Sequence, residues 1–285
     1  MKRLLLVLIL ILATSRATAQ TAVVTRSVNL RTGPAKSYAI KETLHLNDEL
    51  LILDPNQSNG YYNVRVADGE AGWTWGKNIR ITDTAPPPSN NGQPPEVFHG
   101  CPLEGTAVSP HRQQSNELKN RRNTPGTGDI DQNATVAALL QDRDDRTVWN
   151  DTHGASIVAY VVNVKLGSKE TVNCGDTDSA YIDTHIEVLQ NTSDTGKTAR
   201  LIVEVTPRWR WFVAQQGEDW STRALKQSLQ GHWVRFTGWL FWDFEHADEA
   251  EHTNPGHAGN WRATAWEIHP ITDIKICPGS PQTCD

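Results

Sequence analysis

The sequence lacks several motifs and composition biases that would assign the chain to a functional class directly. None of its four cysteines forms a C-x-x-C pair, the usual spacing of paired-thiol metal sites. No H-E-x-x-H, G-x-S-x-G or phosphate-binding glycine loop occurs, so the sequence offers no candidate for nucleophilic catalysis. A basic excess is also missing, since the formal net charge is -6. Because proteins that coat nucleic acid usually carry a clear basic excess, we expect no nucleic-acid partner.

The N-terminus carries the pattern of an export signal. Two basic residues precede an apolar run over residues 4–12, and Ala17 and Ala19 place small side chains where a signal peptidase reads the chain. The run is much shorter than the ~20 residues that a membrane-spanning helix needs. We therefore predict a signal peptide over residues 1–19 and a mature periplasmic or secreted chain from Gln20 without a membrane span. The alternative is a short N-terminal anchor that is kept. Cleavage removes three basic residues and no acidic one, which lowers the net charge to -9.

Four cysteines in an exported chain indicate two disulfide bonds, for which three connectivities are open. The candidates are Cys101, Cys174, Cys277 and Cys284. Cys174 follows the first strand predicted for the C-terminal region, and Cys277 ends the fifth. We therefore expect a bridge between Cys174 and Cys277.

Residues 20–84 are predicted to form a small barrel, because apolar residues recur there at strand-like spacing with turns between them. Three segments resemble motifs of bacterial SH3 (SH3b) domains: Val28-Asn29-Leu30-Arg31-Thr32-Gly33-Pro34, Tyr61-Tyr62-Asn63-Val64-Arg65 and Gly72-Trp73-Thr74. The chain departs from that pattern at Asp48, where a turn glycine is usual, and at Tyr62, where tryptophan is usual. The resemblance implies an SH3b barrel that contacts peptidoglycan or an envelope protein. Its contact candidates are Tyr61, Tyr62, Trp73 and Trp75.

A proline-rich segment separates this region from the rest of the chain. Residues 85–96 contain five prolines, which favour an extended, semi-stiff linker. Residues 97–150 are polar and turn-rich, with helices predicted at 115–122 and 133–141. We expect this segment to form a collar on the domain that follows. Residues 278–285 form a C-terminal tail.

Residues 151–277 are predicted to form a five-stranded barrel. Strands are predicted at 157–166, 181–189, 200–205, 233–242 and 265–276, and a helix at 220–229. Three strands, a helix and two strands is the order of an OB-fold, a five-stranded Greek-key barrel. The predicted fold class is therefore all-β: an SH3b barrel, a proline-rich linker and an OB-like barrel with one or more short helices.

Six short motifs resemble a group of exported bacterial proteins of uncharacterised function. They are Leu118-Lys119-Asn120-Arg121, Asp183-Thr184-His185-Ile186, Val203-Glu204-Val205-Thr206-Pro207, Thr237-Gly238-Trp239-Leu240, Asn260-Trp261-Arg262-Ala263-Thr264 and Trp266-Glu267-Ile268-His269-Pro270. The resemblance covers nearly all of residues 97–277. It supports the domain boundary and implies no activity.

One polar patch is predicted on the outside of the C-terminal barrel. Because side chains alternate across a strand, Asp183, His185, Glu204, Glu267 and His269 point away from the barrel core. Their strands are neighbours in the OB order 1-2-3-5-4, so we expect the five side chains to share the face where OB barrels hold ligands. Carboxylates and imidazoles suit a divalent metal ion or paired acid–base chemistry. The alternative is a solvated face without function, which any antiparallel sheet can carry.

Two further candidates, Asp243 and His246, lie where the fourth strand ends. A charge run such as the one in this loop is typical of a solvated segment, but His246 is placed to reach over the same face. Arg208-Trp209-Arg210-Trp211 and Trp261-Arg262 alternate cations with aromatic rings. For these pairs we expect mutual stacking first, contact with sugar or peptidoglycan second and nucleic-acid contact third.

Two functions follow from these patterns. The first is an exported cell-envelope binding protein, tethered by its SH3b module and binding a second ligand on the OB face. The alternative is a metal-dependent hydrolase of phosphodiesters or wall polymers, in which the polar patch holds a divalent ion that activates water. A purely structural module is the third interpretation. Metal bound to protein purified without chelator would favour the enzyme.

Overall fold

A computed structural model describes residues 20–66, 70–82 and 92–284 of the protein. The predicted signal peptide, most of the predicted linker and Asp285 lie outside the described residues. Over the described ranges, no helix is both long enough and apolar enough to cross a membrane.

Sheet dominates the described part of the chain, as predicted. Its twelve strands are β1 (Gln20–Val24), β2 (Val28–Arg31), β3 (Ile40–Leu44), β4 (Glu49–Ser58), β5 (Tyr61–Val66), β6 (Ala71–Trp75), β7 (Ile79–Ile81), β8 (Gly154–Leu166), β9 (Thr184–Leu189), β10 (Leu201–Val205), β11 (Trp233–Trp242) and β12 (Trp266–Ile276). Its four α-helices are α1 (Pro110–Lys119), α2 (Val136–Leu139), α3 (Pro207–Ala214) and α4 (Thr222–Leu229). The mainly β fold class with a few short helices is therefore confirmed.

The first seven strands form one sheet in the order β3-β2-β6-β5-β4-β1-β7. This sheet has a core of its own, in which Leu30 and Leu44 are fully buried. The turn between β3 and β4 contains Asp48, whose carboxylate accepts a hydrogen bond from the backbone N–H of His45 at 2.8 Å. The residue before it, Asn47, adopts the left-handed conformation with φ of 69°. Asparagine tolerates this conformation better than most residues, so the turn forms without a glycine.

Strands β8 to β12 close into a barrel in the order β10-β12-β11-β8-β9. The pair β10–β12 is parallel, and the other neighbouring pairs are antiparallel. Ile186, Val203 and Ile268 are fully buried in the barrel core, as the alternation predicted. Strand β9 begins later than predicted, because the chain around Tyr181 forms a 3-10 turn that the Asp178 side chain caps. The predicted five-stranded barrel is confirmed.

The polar segment 97–150 packs against this barrel. Helix α1 is capped at its N-terminus by Ser109, whose hydroxyl accepts a hydrogen bond from the N–H of Arg112. The helix lies against β12. Two tryptophans of the barrel region donate their indole N–H groups to carbonyl oxygens of this segment. Trp209 binds the Arg121 carbonyl at 2.8 Å and Trp239 binds the Asn123 carbonyl at 2.7 Å.

Helix α3 carries the segment Arg208-Trp209-Arg210-Trp211, which is buried throughout. Arg208 donates hydrogen bonds to the carbonyl oxygens of Pro95, Glu96, Cys101 and Pro102 at 2.7–3.1 Å. The expected stacking of cation on ring occurs at Trp261 and Arg262, where 5.2 Å separates the guanidinium from the ring centre. In α3 the arginines bind carbonyl oxygens instead. Arg208 thereby fixes the chain at the end of the predicted linker against the barrel.

Two disulfide bonds join all four cysteines, as predicted. The expected pair Cys174–Cys277 is wrong, because Cys174 pairs with Cys101 and Cys277 pairs with Cys284. Cys174 lies in a turn that is held to the collar, where the Thr106 N–H donates to the Thr171 carbonyl at 2.9 Å. A 3-10 turn at Pro281–Thr283 returns the C-terminal tail to the end of β12. The two pairings therefore depend on how the collar and the C-terminal tail fold, and neither segment shows a strand pattern in the sequence.

Candidate functional site

Side chains from β9, β10 and β12, together with Asp183 just before β9, meet on the outside of the barrel. Asp183, Glu204 and His269 each bring one atom able to bind a metal ion to within 4.8 Å of the others. Their exposed fractions are 2%, 6% and 0%. The register of β9 on β10 places His185 opposite Glu204. We call Asp183, Glu204 and His269 the buried triad.

This face is buried, so the alternative interpretation of a solvated face does not apply to the five residues predicted there. Helix α1 and the loop before β12 cover it, and the Arg262 side chain from that loop is itself fully buried. At the end of α1, the Lys119 Nζ atom lies 5.5 Å from the centre of the Phe241 ring. The His269 ring lies 5.7 Å from the same Phe241 ring. The residues point away from the barrel core as predicted, but into a second buried layer.

Two members of the buried triad present atoms without a hydrogen-bond partner among the described residues. Asp183 accepts a hydrogen bond on Oδ2 from the Asn173 side-chain amide at 3.0 Å, while its Oδ1 has no partner. The Nδ1 atom of His269 lies 3.4 Å from Glu267 Oε2 and 3.5 Å from Glu204 Oε2. Its Nε2 has no partner. Buried polar atoms are rarely left unpaired in folded proteins, so each one calls for an explanation.

Charged residues around the buried triad fix the orientation of its carboxylates and their neighbours. The Nδ1 atom of His185 lies 2.9 Å from Glu204 Oε1. Arg262 donates to Glu267 Oε1 at 2.6 Å and to Asp243 Oδ2 at 3.2 Å. These contacts restrict the rotamers of Glu204 and Glu267.

Carboxylates outnumber permanent cations in this region. The five carboxylates are Glu170, Asp183, Glu204, Asp243 and Glu267. The four cations are Lys119 and Arg262, which pair with them, Lys165, which lines the cleft, and Arg208, whose charge interacts with that of Asp183. Burial raises the pKa of Asp183 to about 7. Burial acts in the same direction on Glu204, but the hydrogen bond from His185 and the charge of His269 outweigh it and hold the pKa of Glu204 at about 2. Burial lowers the pKa of His269, whereas its hydrogen bond to Glu267 and the charges of Glu204 and Asp183 raise it overall. The region thus favours positive charge.

A cleft of about 370 Å³ lies beside the triad and shares Glu204 with it. His185, Glu267 and Glu170 also line this cleft, together with Trp261. The Trp261 ring is half-buried, and its centre lies 5.4 Å from that of the His185 ring. Lys165 lines the cleft as well, with its Nζ atom 5.6 Å from the centre of the Trp261 ring. The cleft therefore combines an aromatic ring and one lysine with carboxylates that can accept hydrogen bonds.

His246 forms part of the cleft lining, at its rim. Its Nδ1 atom lies 2.5 Å from Asp243 Oδ2, and about a third of its side chain is exposed. That hydrogen bond raises the pKa of His246 to about 9 and holds the pKa of Asp243 well below its usual range. Asp243 itself is buried and lies away from the cleft lining, bound by His246 and Arg262. Of the two loop candidates, His246 faces the cleft and Asp243 positions it.

Five residues that shape this site were not assigned to the polar patch from the sequence. They are Lys119, Glu170, Asn173, Trp261 and Arg262, of which Trp261 and Arg262 were noted only as a cation–ring pair. Lys119, Trp261 and Arg262 belong to motifs that resemble exported bacterial proteins, and that membership was the available signal. Asn173 lies in a loop next to Cys174, and no pattern in the sequence singled it out.

The four contact candidates of the N-terminal sheet differ in accessibility. Tyr61 is only 5% exposed and packs edge-on against Trp75, with ring centres 5.0 Å apart. Tyr62 packs against the core of the sheet. Trp73 and Trp75 are half-buried. The two tryptophans therefore offer more accessible surface than Tyr61.

No protein-family model matches the chain, and no curated protein matches its sequence. Among solved structures, that of NlpC2 from Trichomonas vaginalis aligns with 11% sequence identity and a TM-score of 0.21. The alignment covers 61% of this chain and 61% of NlpC2, so the chain spans about three-fifths of that protein's length. A similarity at this TM-score carries no functional argument.

Proposed function

We propose that this is an exported protein of the bacterial cell envelope that binds a wall glycan in the cleft of its C-terminal barrel. One observation carries the proposal: the half-buried Trp261 ring flanks a cleft of about 370 Å³ that is also lined by the carboxylates of Glu170, Glu204 and Glu267. An aromatic ring offers a flat apolar surface to a sugar ring, and carboxylates accept hydrogen bonds from its hydroxyl groups. Concave sites with a few fixed polar groups are the usual form of small-ligand sites.

The topology supports an OB-like interpretation of the barrel. Numbered from β8, its strands follow the order 1-2-3-5-4 and close between the fourth and the first. The cleft residues His185, Glu204 and Glu267 lie on the second, third and fifth of these strands. OB barrels bind oligosaccharides and oligonucleotides on the face that includes strands 2 and 3. The acidic lining of this cleft favours the uncharged sugar over the phosphate backbone.

Two further features support a location outside the cytoplasm. The leader over residues 1–19 has the pattern of a signal peptide. Both disulfide bonds are of the kind that persists in oxidising compartments. A periplasmic or secreted protein would meet the proposed glycan ligand there.

The N-terminal sheet supplies the second part of the proposal. Its SH3b-like motifs and compartment favour a module that tethers the protein to peptidoglycan or to an envelope protein. Trp73 and Trp75 are its contact residues in this proposal, since both are partly accessible. Tyr61 is assigned a packing role because it is 5% exposed.

A second candidate function, metal-dependent hydrolysis, is favoured by the unpaired donor atoms of the buried triad. A metal ion beside a glycan cleft could activate water toward the bound chain. This function requires a bound metal ion, and glycan binding does not.

The test is a calorimetric titration of the mature chain with N-acetylglucosamine oligomers and with soluble peptidoglycan fragments. We expect binding that Trp261→Ala weakens at least tenfold, which corresponds to about 1.4 kcal/mol. Trp233→Ala is the matched control, because Trp233 packs on Tyr160 with ring centres 5.6 Å apart and does not line the cleft. No binding by the wild-type protein, or equal losses in both variants, would overturn the proposal.

A further inference from the structure

We infer that Asp183, Glu204 and His269 bind one divalent transition-metal ion, of the class of Zn²⁺ or Mn²⁺, beside the glycan cleft. The inference goes beyond the proposed glycan binding and does not depend on it. It rests on the geometry of the triad, on the unpaired atoms it presents and on the residues that hold it in place.

The donor atoms are close enough to share an ion. One atom from each residue lies within 4.8 Å of the other two. Around a tetrahedral ion with bonds of about 2.1 Å, neighbouring ligand atoms lie about 3.4 Å apart. Small side-chain rotations would close the remaining gap. The three residues come from adjacent strands or a strand end, so the backbone that carries them is fixed by the barrel.

The unpaired atoms are those that a metal ion would use. Asp183 Oδ1 and His269 Nε2 are buried and have no hydrogen-bond partner among the described residues. A buried polar group without a partner costs about 1–3 kcal/mol. A bound cation that contacted both atoms would satisfy them at once.

Each triad member is also held by a second residue, as metal ligands usually are. The Nδ1 atom of His269 lies 3.4 Å from Glu267 Oε2 and 3.5 Å from Glu204 Oε2, while its Nε2 has no hydrogen-bond partner among the described residues. Asn173 holds Asp183 through Oδ2 at 3.0 Å and leaves Oδ1. A carboxylate on the far nitrogen of a histidine is the common arrangement around bound zinc.

The two nearby cations do not fill the site themselves. Lys119 forms its ion pair with Glu170 at 2.6 Å. Arg262 forms its ion pairs with Asp243 and Glu267. Neither forms an ion pair with Asp183 in the described part of the chain, although the charges of Lys119 and Arg208 act on that carboxylate from farther away.

The donor set points to the class of ion. Two carboxylates and one imidazole suit Zn²⁺ or Mn²⁺, whereas Ca²⁺ takes six to eight oxygen ligands in most proteins. Three protein ligands with an open fourth position are typical of metal sites that contact a substrate or activate water. Because Glu204 belongs to both the triad and the cleft lining, the proposed ion would lie next to the cleft.

The test uses the mature chain without any glycan, so its outcome is independent of the glycan proposal. Protein purified without chelator is analysed for bound metal by mass spectrometry, then stripped with EDTA and titrated with Zn²⁺, Mn²⁺, Mg²⁺ and Ca²⁺. We expect about one ion per chain, and tighter binding of Zn²⁺ or Mn²⁺ than of Mg²⁺ or Ca²⁺. We also expect Zn²⁺ or Mn²⁺ to raise the thermal midpoint of the stripped protein, since an ion that binds only the folded state stabilises it.

Asp183→Asn and His269→Ala should each weaken binding at least a hundredfold, and Glu267→Gln about ten- to a hundredfold. His257→Gln is the matched control, an exposed histidine outside both the triad and the cleft lining, which should bind like the wild type. If His269→Ala fails to fold, the conservative Asp183→Asn decides the question. A folded wild-type protein that binds no ion, an Asp183→Asn variant that binds normally, or a preference for Ca²⁺ would each overturn the inference.

Discussion

Arg210 of helix α3 and Glu49 of strand β4 form a buried ion pair across the junction between the two sheets, with 3.4 Å between Nη1 and Oε1. Arg210 also donates to the carbonyls of Ser179 and Ile182 at 3.0 Å. Glu49 accepts the backbone N–H of Thr222, at the start of α4, at 3.0 Å. The N-terminal sheet is therefore docked on the barrel through a buried polar contact and does not depend on the linker alone for its position.

Removing one partner of this pair should destabilise the whole chain. Glu49→Ala leaves the Arg210 charge buried without a counter-charge, and we expect a loss of about 3–5 kcal/mol in the free energy of unfolding. Chemical denaturation measures the loss. Arg223→Gln is the control, because Arg223 pairs with Asp48 and Glu42 nearer the surface and should cost no more than about 1 kcal/mol. Similar small losses in both variants would show that the junction contributes little to stability.

The His246–Asp243 contact predicts a pH dependence of stability. The folded state raises the pKa of His246 from 6.5 to about 9, so it binds this proton more tightly than the unfolded chain does. The stabilisation is complete below pH about 6.5 and is lost as the pH rises through about 9. We expect the difference in thermal midpoint between wild type and His246→Gln to shrink over that range, with His257→Gln as an exposed control. A difference that stays constant with pH would contradict the assignment.

The two disulfide bonds should differ in their contribution. Cys101–Cys174 closes a loop of 73 residues and Cys277–Cys284 one of 7. A disulfide bond lowers the conformational entropy of the unfolded chain, and it does so more when it closes a longer loop. Removing the two bridges should therefore lower the free energy of unfolding by about 4 and about 2 kcal/mol respectively. Urea unfolding of Cys101→Ser/Cys174→Ser and of Cys277→Ser/Cys284→Ser measures the two costs. The reverse order would show that native-state contacts, not loop length, dominate.

The proposed tether predicts separate effects at neighbouring aromatic residues. In the full mature chain, Trp73→Ala should reduce sedimentation with isolated peptidoglycan while leaving the thermal midpoint nearly unchanged. Tyr61→Ala should instead cost about 3 kcal/mol in stability, because Tyr61 is buried. Unchanged sedimentation of a folded Trp73→Ala variant would place the tether elsewhere or remove it.

The sequence predicted the barrel well because its strands repeat a simple alternation. The predicted and observed bounds of β11 coincide, and the inward residues of β9, β10 and β12 are those expected. Helix α3 was missed, although Thr206 and Pro207 provide a start signal: the Thr206 hydroxyl accepts the N–H of Trp209 at 3.3 Å. The run of strand-forming residues before it obscured that signal.

The candidate site was predicted in part, for a physical reason. Strand order and side-chain alternation are properties of the sheet itself. They were enough to predict that Asp183, Glu204 and His269 lie on one face. Their burial depends on how α1 and the loop carrying Arg262 fold over that face, and these segments have no regular apolar repeat. The same limit applies to the disulfide pairing, because Cys101 and Cys284 lie outside the strands.

The Cys101–Cys174 bridge has a consequence for when the site becomes complete. Cys174 directly follows Asn173, the residue whose amide holds Asp183. The oxidation state of this bridge therefore acts one residue away from Asn173, which holds a proposed metal ligand. A chain in which the bridge is reduced would lack this constraint, so the proposed metal site would be complete only after oxidation. Titration of stripped protein with and without reductant tests this, and we expect weaker metal binding by the reduced chain.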